Sequence, residues 1–381
     1  MRSCGGLSAA AKTLGIGLTS LRCKLIDEVL VGAPKPMGVV EEHALVKRVK
    51  ALEAKNKELA DTIVMDDEHT KMLDSIASSQ LDPPEWLSHK PSGKTHHATI
   101  TTFLSDTHFD ERVRASEMNG VNAYNRKIAE LRLQRFFAAS IKLTRDYIAG
   151  VKIDGLVLPL GGDMVTGNIH EELERTNEAP ILDTCLHWAE QIAAGMEMQL
   201  ASKLFPKIFV PCVTGNHGRL RSKPQYKNRA RDNYDWLIYQ ILAKHFRSDS
   251  RVSFMIPDGP DCYYDVYTTR NLLTHGDQFS GGGGIGGIAV PIMRGDAKKQ
   301  KASTAVGRSY DIMQIGHWHQ RKDLGSVLIN GSLKGYDEYA LGHSFDFELP
   351  QQSLWVTTPE RGKTISAPIY VLSQEEKKFW S

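Results

Sequence analysis

From residue 97 onward, the chain alternates short apolar runs with longer amphipathic stretches. Six runs end in polar residues with glycine nearby: ATITTFLSD, GLVLPLGGD, KIFVPCVTGN, NLLTHGD, DIMQIGH and SVLINGS. Stretches with helical periodicity separate several of them, such as residues 124–149. Short buried strands interleaved with helices predict an α/β domain over residues 97–381, with a sheet that is at least partly parallel.

The first 78 residues have a different pattern. Residues 1–33 are rich in small residues and leucine, and the proline- and glycine-containing stretch 32–38 is typical of a linker. Residues 39–78 are highly charged and helical in pattern, and within them the segment 45–63 carries a heptad repeat. The a positions are Val49, Asn56 and Ile63, and the d positions are Leu45, Leu52 and Leu59.

This heptad predicts a dimerisation helix. A β-branched residue at a, leucine at d and one asparagine at a favour a parallel two-stranded coiled coil. We therefore expect a homodimer through residues 45–63. The alternative is a single amphipathic helix that packs on the catalytic domain.

Composition narrows the class of protein. The chain has 381 residues, 41% of them apolar and 24% charged, which is ordinary for a soluble globular protein. No apolar run reaches the length of a membrane span, and the N-terminus lacks the apolar segment of a secretory signal. The five cysteines are scattered without a C-x-x-C, which argues against a disulfide framework. These features predict a cytoplasmic protein with no membrane association.

The polar residues that follow the apolar runs form a set of potential metal ligands. Polar residues at the carboxyl ends of parallel strands gather along one edge of a sheet. Carboxylate, amide and imidazole donors together suit Mn²⁺, Fe²⁺ or Zn²⁺ better than Ca²⁺ or Mg²⁺, which prefer all-oxygen shells. Their number fits two ions that share a bridging carboxylate, an arrangement that clamps a phosphoryl displacement. The residues are Asp106 and His108 in SDTH, Asp163 in GGDMVTGN, Asn216 and His217 in TGNHGR, His275 in THGD, and His317 and His319 in GHWH.

Each of these motifs also has an ordinary structural interpretation. SDTH is a common helix N-cap, GGD a turn, GNH a glycine turn with an exposed histidine, THGD a hairpin, and GHWH a polar strand end. Their joint occurrence, in this order and each after an apolar run, favours a metal site over five separate coincidences.

The series D-x-H, G-D, G-N-H, H-G-D and G-H-x-H, between residues 98 and about 335, resembles the calcineurin-like metallophosphoesterase superfamily. The resemblance implies a four-layer αββα sandwich with two metals at the sheet edge. Manganese is the first expectation for both ions, with iron, zinc or magnesium as alternatives. The implied ligands are Asp106, His108 and His319 for one metal, Asn216, His275 and His317 for the other, and Asp163 as the bridge.

The resemblance also implies that His217 lies beside the phosphate, where it stabilises the transition state or protonates the leaving oxygen. One position departs from the pattern of many relatives, which carry an acidic residue after G-N-H that can orient the histidine. This sequence has Gly218 followed by Arg219. Another group must then fix the tautomer of His217, and Asp110 and Asp277 are the two candidates.

Local charge indicates the substrate class, since the formal net charge is only +2. GDMVTGN lacks the second aspartate and the arginine that protein phosphatases carry after G-D, which disfavours a phosphoprotein. Residues 218–231 contain six basic and no acidic residues, and the alternative interpretation of this segment is a solvated helix face. A second basic cluster at 293–303 follows the glycine tract 281–287, which is either a lid or an insertion. We predict that phosphates flanking the scissile one bind Arg219, Arg221, Lys223 and Arg229.

The N-terminal residues 7–25 resemble a helix-turn-helix element. Ala11 falls at the small-residue position, Gly15 at the turn and Leu21 at the packing position of the second helix. Arg22 and Lys24, together with two neighbouring hydroxyl residues, would then reach a DNA groove. An ordinary helical hairpin is the alternative.

Together these patterns predict a dinuclear-metal phosphodiesterase acting on nucleic acid, in first place a DNA nuclease. It is similar to the DNA-repair nucleases of the superfamily and to phage-encoded relatives, and a partner ATPase fits this interpretation. The alternative is a small-molecule phosphoesterase acting on nucleotides, cyclic nucleotides or phosphomonoesters. A non-catalytic scaffold is disfavoured because every expected ligand is present. Residues after about 340 carry no recognisable chemistry, and we expect them to complete the sheet or to cap the site.

Overall fold

A computed structural model of the chain describes residues 47–48, 50–55, 57, 82–88, 95–281 and 287–380. The chain divides into two compact units, Met1–Met72 and Leu73–Ser381. In the first unit the described residues are helical and exposed, and the side chain of Leu52 is 54% exposed. The helix-turn-helix segment with Arg22 and Lys24, the other predicted heptad positions and most of the glycine tract lie outside the described residues.

The second unit alternates strands and helices, as predicted. Its strands are β1 (His97–Phe103), β2 (Lys152–Val157), β3 (Ile208–Pro211), β4 (Val252–Met255), β5 (Asp261–Val266), β6 (Thr269–Thr274), β7 (Ile312–Ile315), β8 (Lys322–Asp323), β9 (Val327–Ile329), β10 (Gln351–Thr358) and β11 (Gly362–Tyr370). Its helices are α1 (Arg126–Tyr147), α2 (Glu171–Thr176), α3 (Ile181–Ala201), α4 (Tyr234–His245), α5 (Ala289–Ala305) and α6 (Glu338–Gly342).

These strands form two mixed sheets. The first has the order β11-β10-β1-β2-β3-β4, with β1 to β4 parallel and with β10 antiparallel to both of its neighbours. The second has the order β5-β6-β7-β9-β8, with β6, β7 and β9 parallel. The C-terminal residues therefore complete the first sheet, one of the two roles expected for them.

Three apolar cores separate four layers. The first core joins the six-stranded sheet to α1, α3 and α4, where Trp188 and Trp236 are buried. The second core lies between the two sheets, and the third joins the five-stranded sheet to Ile292 of α5. Neighbouring strand residues such as Leu156 and Val157 belong to different cores, because successive side chains point to opposite faces of a sheet. The predicted αββα sandwich is confirmed.

The second unit also contains described residues that precede residue 97. The 3-10 turn Glu85–Leu87 is among them, with Leu87 fully buried and its carbonyl accepting a hydrogen bond from the Tyr267 amide at 2.6 Å. The Trp86 ring lies against Gly155, where an added Cβ would be 2.4 Å from the ring. Leu87 therefore belongs to the core between the sheets, and the partly buried Trp86 packs against that core.

The cysteines of the described residues lie in the core. Cys185, Cys212 and Cys262 are free and buried, and burial raises the pKa of the Cys262 thiol to about 12, so it stays uncharged. Among the helices that the structure describes, none combines the length and apolar character of a transmembrane span.

Candidate metal centre

The structure brings all eight predicted site residues together at the carboxyl ends of five parallel strands. Each lies in the loop directly after its strand: Asp106 and His108 after β1, Asp163 after β2, Asn216 and His217 after β3, His275 after β6, and His317 and His319 after β7. Because β1, β2 and β3 belong to one sheet and β6 and β7 to the other, both sheets contribute residues to the site.

The first cluster of donor atoms consists of Asp106, His108 and His319. The Nε2 atoms of the two histidines are 3.1 Å apart, and Nε2 of His319 is 3.5 Å from Oδ1 of Asp106. The three donor atoms all lie within 4.8 Å of one another. This spacing lets one cation contact all three donors.

The second cluster contains Asp163, His275 and His317, again with donor atoms within 4.8 Å of one another. Nε2 of His275 lies 3.0 Å from Oδ2 of Asp163 and 3.1 Å from Oδ1 of Asn216. Asp163 also groups with His108 of the first cluster and with His217. Its carboxylate thus stands between the two clusters, where a bridging ligand belongs.

The donor set of the second cluster fits a cation. Nδ1 of His275 donates to the carbonyl oxygen of Gly161 at 2.8 Å, so in the neutral ring the Nε2 lone pair faces two oxygen acceptors. Lone pairs that converge in this way need a positive charge between them. Although burial opposes it, Asp163 raises the pKa of His275 to about 10, so that a proton stands where a metal ion would bind.

The loops that carry the ligands adopt an uncommon backbone. Asp106, His108, Asp163, His317 and His319 all have positive φ, between 46° and 67°. Non-glycine residues rarely occupy this region, and each such residue costs of the order of 1–3 kcal/mol. The packed sandwich around the loops holds five ligands in this conformation.

Two glycines of the motifs are explained by close packing. A Cβ added to Gly215 would lie 2.1 Å from Oδ1 of Asp163, and one added to Gly316 would lie 2.4 Å from Oδ2 of Asp106. The glycine of G-N-H and the glycine of G-H-W-H therefore make room for carboxylates that follow other strands.

A buried ion-pair network that the motifs did not indicate supports His108. Nδ1 of His108 has no hydrogen-bond partner among the described residues, and Oε2 of Glu111 lies 3.5 Å away. Glu111 in turn accepts from the hydroxyl of Thr166 at 3.0 Å and from Nζ of Lys334 at 2.8 Å. A carboxylate beside a ligand histidine orients the ring and strengthens it as a metal ligand.

The tautomer of His217 is set by a backbone carbonyl. Nδ1 of His217 donates to the carbonyl oxygen of Thr166 at 3.3 Å, and its amide donates to Oδ1 of Asp163 at 2.7 Å. The prediction that Asp110 or Asp277 fixes this ring is therefore wrong.

Both aspartates are bound elsewhere. Asp110 accepts from the guanidinium of Arg126 at 2.8 and 2.5 Å, and Asp277 accepts from that of Arg229 at 2.9 and 2.8 Å. A bidentate arginine pair satisfies most of the hydrogen-bonding capacity of a carboxylate. These aspartates therefore anchor arginines beside the site and do not orient His217.

A second histidine lies next to His217 on the solvent side. The ring centroids of His170 and His217 are 5.5 Å apart, and His170 is exposed. His170 lies just after the GGDMVTGN segment, and it belongs to none of the motifs in the sequence.

Basic side chains line a pocket that continues from the second cluster. Arg219, Arg221 and Lys223 share it with Asn216. The guanidinium of Arg219 donates to the carbonyl oxygens of Arg221 at 3.0 Å and Ser222 at 2.8 Å. Arg229, the fourth predicted phosphate contact, also lines the pocket, but its guanidinium is held by Asp277.

We expect the network beneath the site to make stability depend on pH. Burial alone would raise the pKa of Asp337, but Nζ of Lys334, 2.5 Å away, lowers it to about 2. The unfolded value is about 3.9, so this stabilisation is present above pH 4 and is lost as the pH falls to 2. Asp337→Asn removes the charge but keeps a side-chain oxygen that can cap α6 at the Ala340 amide.

The difference between the wild-type and Asp337→Asn free energies of unfolding should therefore be about 2 kcal/mol larger at pH 7 than at pH 2. Urea unfolding at the two pH values measures it. An equal difference at both values would show that Lys334 does not stabilise this carboxylate.

Comparison with known proteins gives a fold-level likeness. No protein-family model and no curated protein sequence matches the chain. A predicted phosphoesterase from Streptococcus pneumoniae is similar over 71% of this chain and 97% of its own, at 11% identity and a TM-score of 0.25. A dimetal phosphatase from Danio rerio is similar over 72% of this chain and 99% of its own, at 11% identity and a TM-score of 0.33. Vacuolar Protein Sorting 29 from Cryptosporidium parvum is similar over 71% of this chain and 97% of its own, at 10% identity and a TM-score of 0.26.

Proposed function

We propose that this protein is a dinuclear-metal phosphodiesterase that hydrolyses nucleic acid, most directly DNA. The observation that carries the proposal is the convergence of seven donor side chains into two clusters that share Asp163. Two divalent cations held there, manganese in first place, would neutralise phosphate charge and supply a water of lowered pKa.

The residues of the chain divide the remaining tasks. Asp106, His108 and His319 hold one cation, and Asn216, His275 and His317 hold the other. His217 acts on the phosphate or the leaving oxygen through Nε2, since its Nδ1 proton is donated to Thr166. Donation from Nε2 requires the cationic ring. Burial lowers the pKa of His217, and the negative charge of Asp163 offsets only part of that effect.

The pocket beside Asn216 supports a polyanionic substrate. A nucleic acid places further phosphates on either side of the scissile one, whereas a small phosphoester does not. Arg219 lies near enough to Asp163 and Asp277 for both carboxylates to influence its pKa, which burial lowers. We propose that Arg219, Arg221 and Lys223 bind the flanking phosphates, while Arg229 holds the loop to Asp277.

The N-terminal unit belongs to the same proposal. Arg22 and Lys24 would bind DNA, and the predicted coiled-coil segment 45–63 would join two copies, placing two metal centres on one nucleic acid. The exposure of Leu52, a predicted d position, suits a helix that awaits a partner. We further propose a cytoplasmic location and a partner ATPase.

The experiment is a gel assay of Mn²⁺-loaded protein on labelled single- and double-stranded DNA, beside hydrolysis of bis-p-nitrophenyl phosphate. We expect the wild type to cleave DNA, and Asp163→Ala and His217→Ala to leave it intact. Intact DNA together with metal-dependent hydrolysis of the small diester would keep the metal centre. That result would favour the small-molecule phosphoesterase, acting on nucleotides, cyclic nucleotides or phosphomonoesters.

Charge reversal in the pocket should separate these two substrate classes. We expect Arg219→Glu combined with Lys223→Glu to weaken DNA binding and to lower its salt dependence by about two ion equivalents, roughly one per lost contact. Hydrolysis of bis-p-nitrophenyl phosphate should be unchanged, because a small diester has no flanking phosphates for these side chains to bind.

The matched control changes the net charge equally on an exposed face of α1, by Lys127→Glu combined with Lys142→Glu. DNA binding that falls equally in both double variants would assign the effect to net charge and remove the pocket from the proposal.

A further inference from the structure

Asp235 is a fully buried carboxylate that joins two of the loops carrying metal ligands. Its Oδ2 accepts the amides of Asp163 and Gly215, each at 2.9 Å, and its Oδ1 accepts the amide of Met164 at 3.0 Å. Asp163 is the shared ligand, and Gly215 directly precedes the ligand Asn216. We propose that Asp235 is a positioning residue that clamps these two loops and thereby fixes Asp163 relative to Asn216.

The clamp acts where strand pairing has ended. The last backbone pairing between the β2 and β3 segments is the bridge between Leu160 and Cys212. Beyond it the two loops approach closely, since a Cβ added to Gly162 would lie 2.3 Å from the Gly215 amide nitrogen. The amides in these loops have left the strand ladder and are buried, so each needs another acceptor. One carboxylate supplies it for three of them.

Gly215 is also held through its carbonyl oxygen, by a residue at the start of α4. Asn233 donates through Nδ2 to the carbonyl oxygen of Gly215 at 2.9 Å, so residue 215 is bonded at both its amide and its carbonyl. The amide of Tyr234 donates to the carbonyl oxygen of Gly218 at 2.7 Å, just beyond His217. Residues at the start of α4 therefore hold the G-N-H segment both at Gly215 and just beyond His217.

Capping of the helix does not explain Asp235. The N-cap of α4 is Asn233, whose side-chain oxygen accepts from the Asp235 amide at 2.8 Å. The three amide contacts described above run from the Asp235 carboxylate to the ligand loops. Stabilising the helix would not require the Asp235 carboxylate to contact these loops.

The test is calorimetric titration of the metal-free, full-length protein with Mn²⁺. Removing a group that orients a metal ligand typically weakens binding about 10- to 100-fold. We expect Asp235→Asn to weaken the site formed by Asp163, Asn216, His275 and His317 by that factor while it still unfolds cooperatively. Excess Mn²⁺ should restore full occupancy, which it cannot do for an unfolded protein.

Glu376→Gln is the matched control. It makes the same change in another fully buried carboxylate, which is paired with Arg132 at 2.7 Å. We expect it to lower stability and leave Mn²⁺ affinity unchanged. An Asp235→Asn affinity equal to the wild type, or reduced no further than that of Glu376→Gln, would overturn the inference.

A second variant covers a failure of Asp235→Asn to fold. Asp235→Glu keeps the charge but displaces the carboxylate, so weakened Mn²⁺ binding by the folded variant supports the clamp and unchanged binding overturns it. The inference rests on the metal centre of the proposed function. Binding of two Mn²⁺ by the wild type tests that centre, whereas the ratio of variant to wild-type affinity tests the role of Asp235.

Discussion

Asp163→Asn should lose phosphodiester hydrolysis by more than about 100-fold and should no longer bind two metal ions tightly. Removing a group that merely orients a ligand already costs about 10- to 100-fold, and Asp163 is itself the ligand shared by both clusters. Its two oxygens have separate partners, Oδ2 the ring of His275 and Oδ1 the amide of His217. An amide in its place brings no negative charge and has only one acceptor oxygen.

Metal content after dialysis, measured with the initial rate of bis-p-nitrophenyl phosphate hydrolysis, checks this expectation. Asp154→Asn is the control, because Asp154 lies in β2, the strand that leads to the Asp163 loop, but binds His97 and Tyr267, away from the ligand edge. Its metal content and rate should match the wild type. If Asp163→Asn kept both metals and most of its activity, a bridging role for this carboxylate would be excluded.

His217→Ala is expected to lower kcat for DNA by about 10²- to 10⁴-fold, the usual contribution of a positioned acid or base, with metal content unchanged. The difference from Asp163→Asn is therefore the retained metal. His170→Ala, in the neighbouring ring, provides the comparison for a general effect of losing an imidazole near the site. If His217→Ala also loses a metal ion, His217 is a ligand and its proposed role is wrong.

Two substrates distinguish the two roles considered for His217. Bis-p-nitrophenyl phosphate has a weakly basic leaving group that needs little protonation, whereas DNA releases a strongly basic alkoxide. A histidine that protonates the leaving oxygen would therefore matter much more for DNA than for the nitrophenyl ester. Equal losses on both substrates would instead indicate that the ring stabilises charge on the phosphate.

The sequence alone predicted the eight residues that the structure brings together and the order in which they occur. Each ligand directly follows an apolar run whose length and flanking glycine mark a strand, so residue type and strand end appear together within a few positions. Short apolar runs interleaved with helices predicted an α/β domain, and the two sheets with their three apolar cores confirm it. Local patterns carried this information because each apolar run, its flanking glycine and its polar end lie within a few consecutive residues.

What orients the ligands was decided only by the tertiary structure. Asp235 lies 72 residues beyond Asp163, and Lys334 lies 223 residues beyond Glu111, so no local pattern connects either pair. The tautomer of His217 depends on the Thr166 carbonyl, which any residue at position 166 would offer. The positive φ values of five ligands are likewise imposed by the loops around them. Such contacts form only when packing brings distant segments together, because a hydrogen bond depends on the position of both partners and not on sequence order.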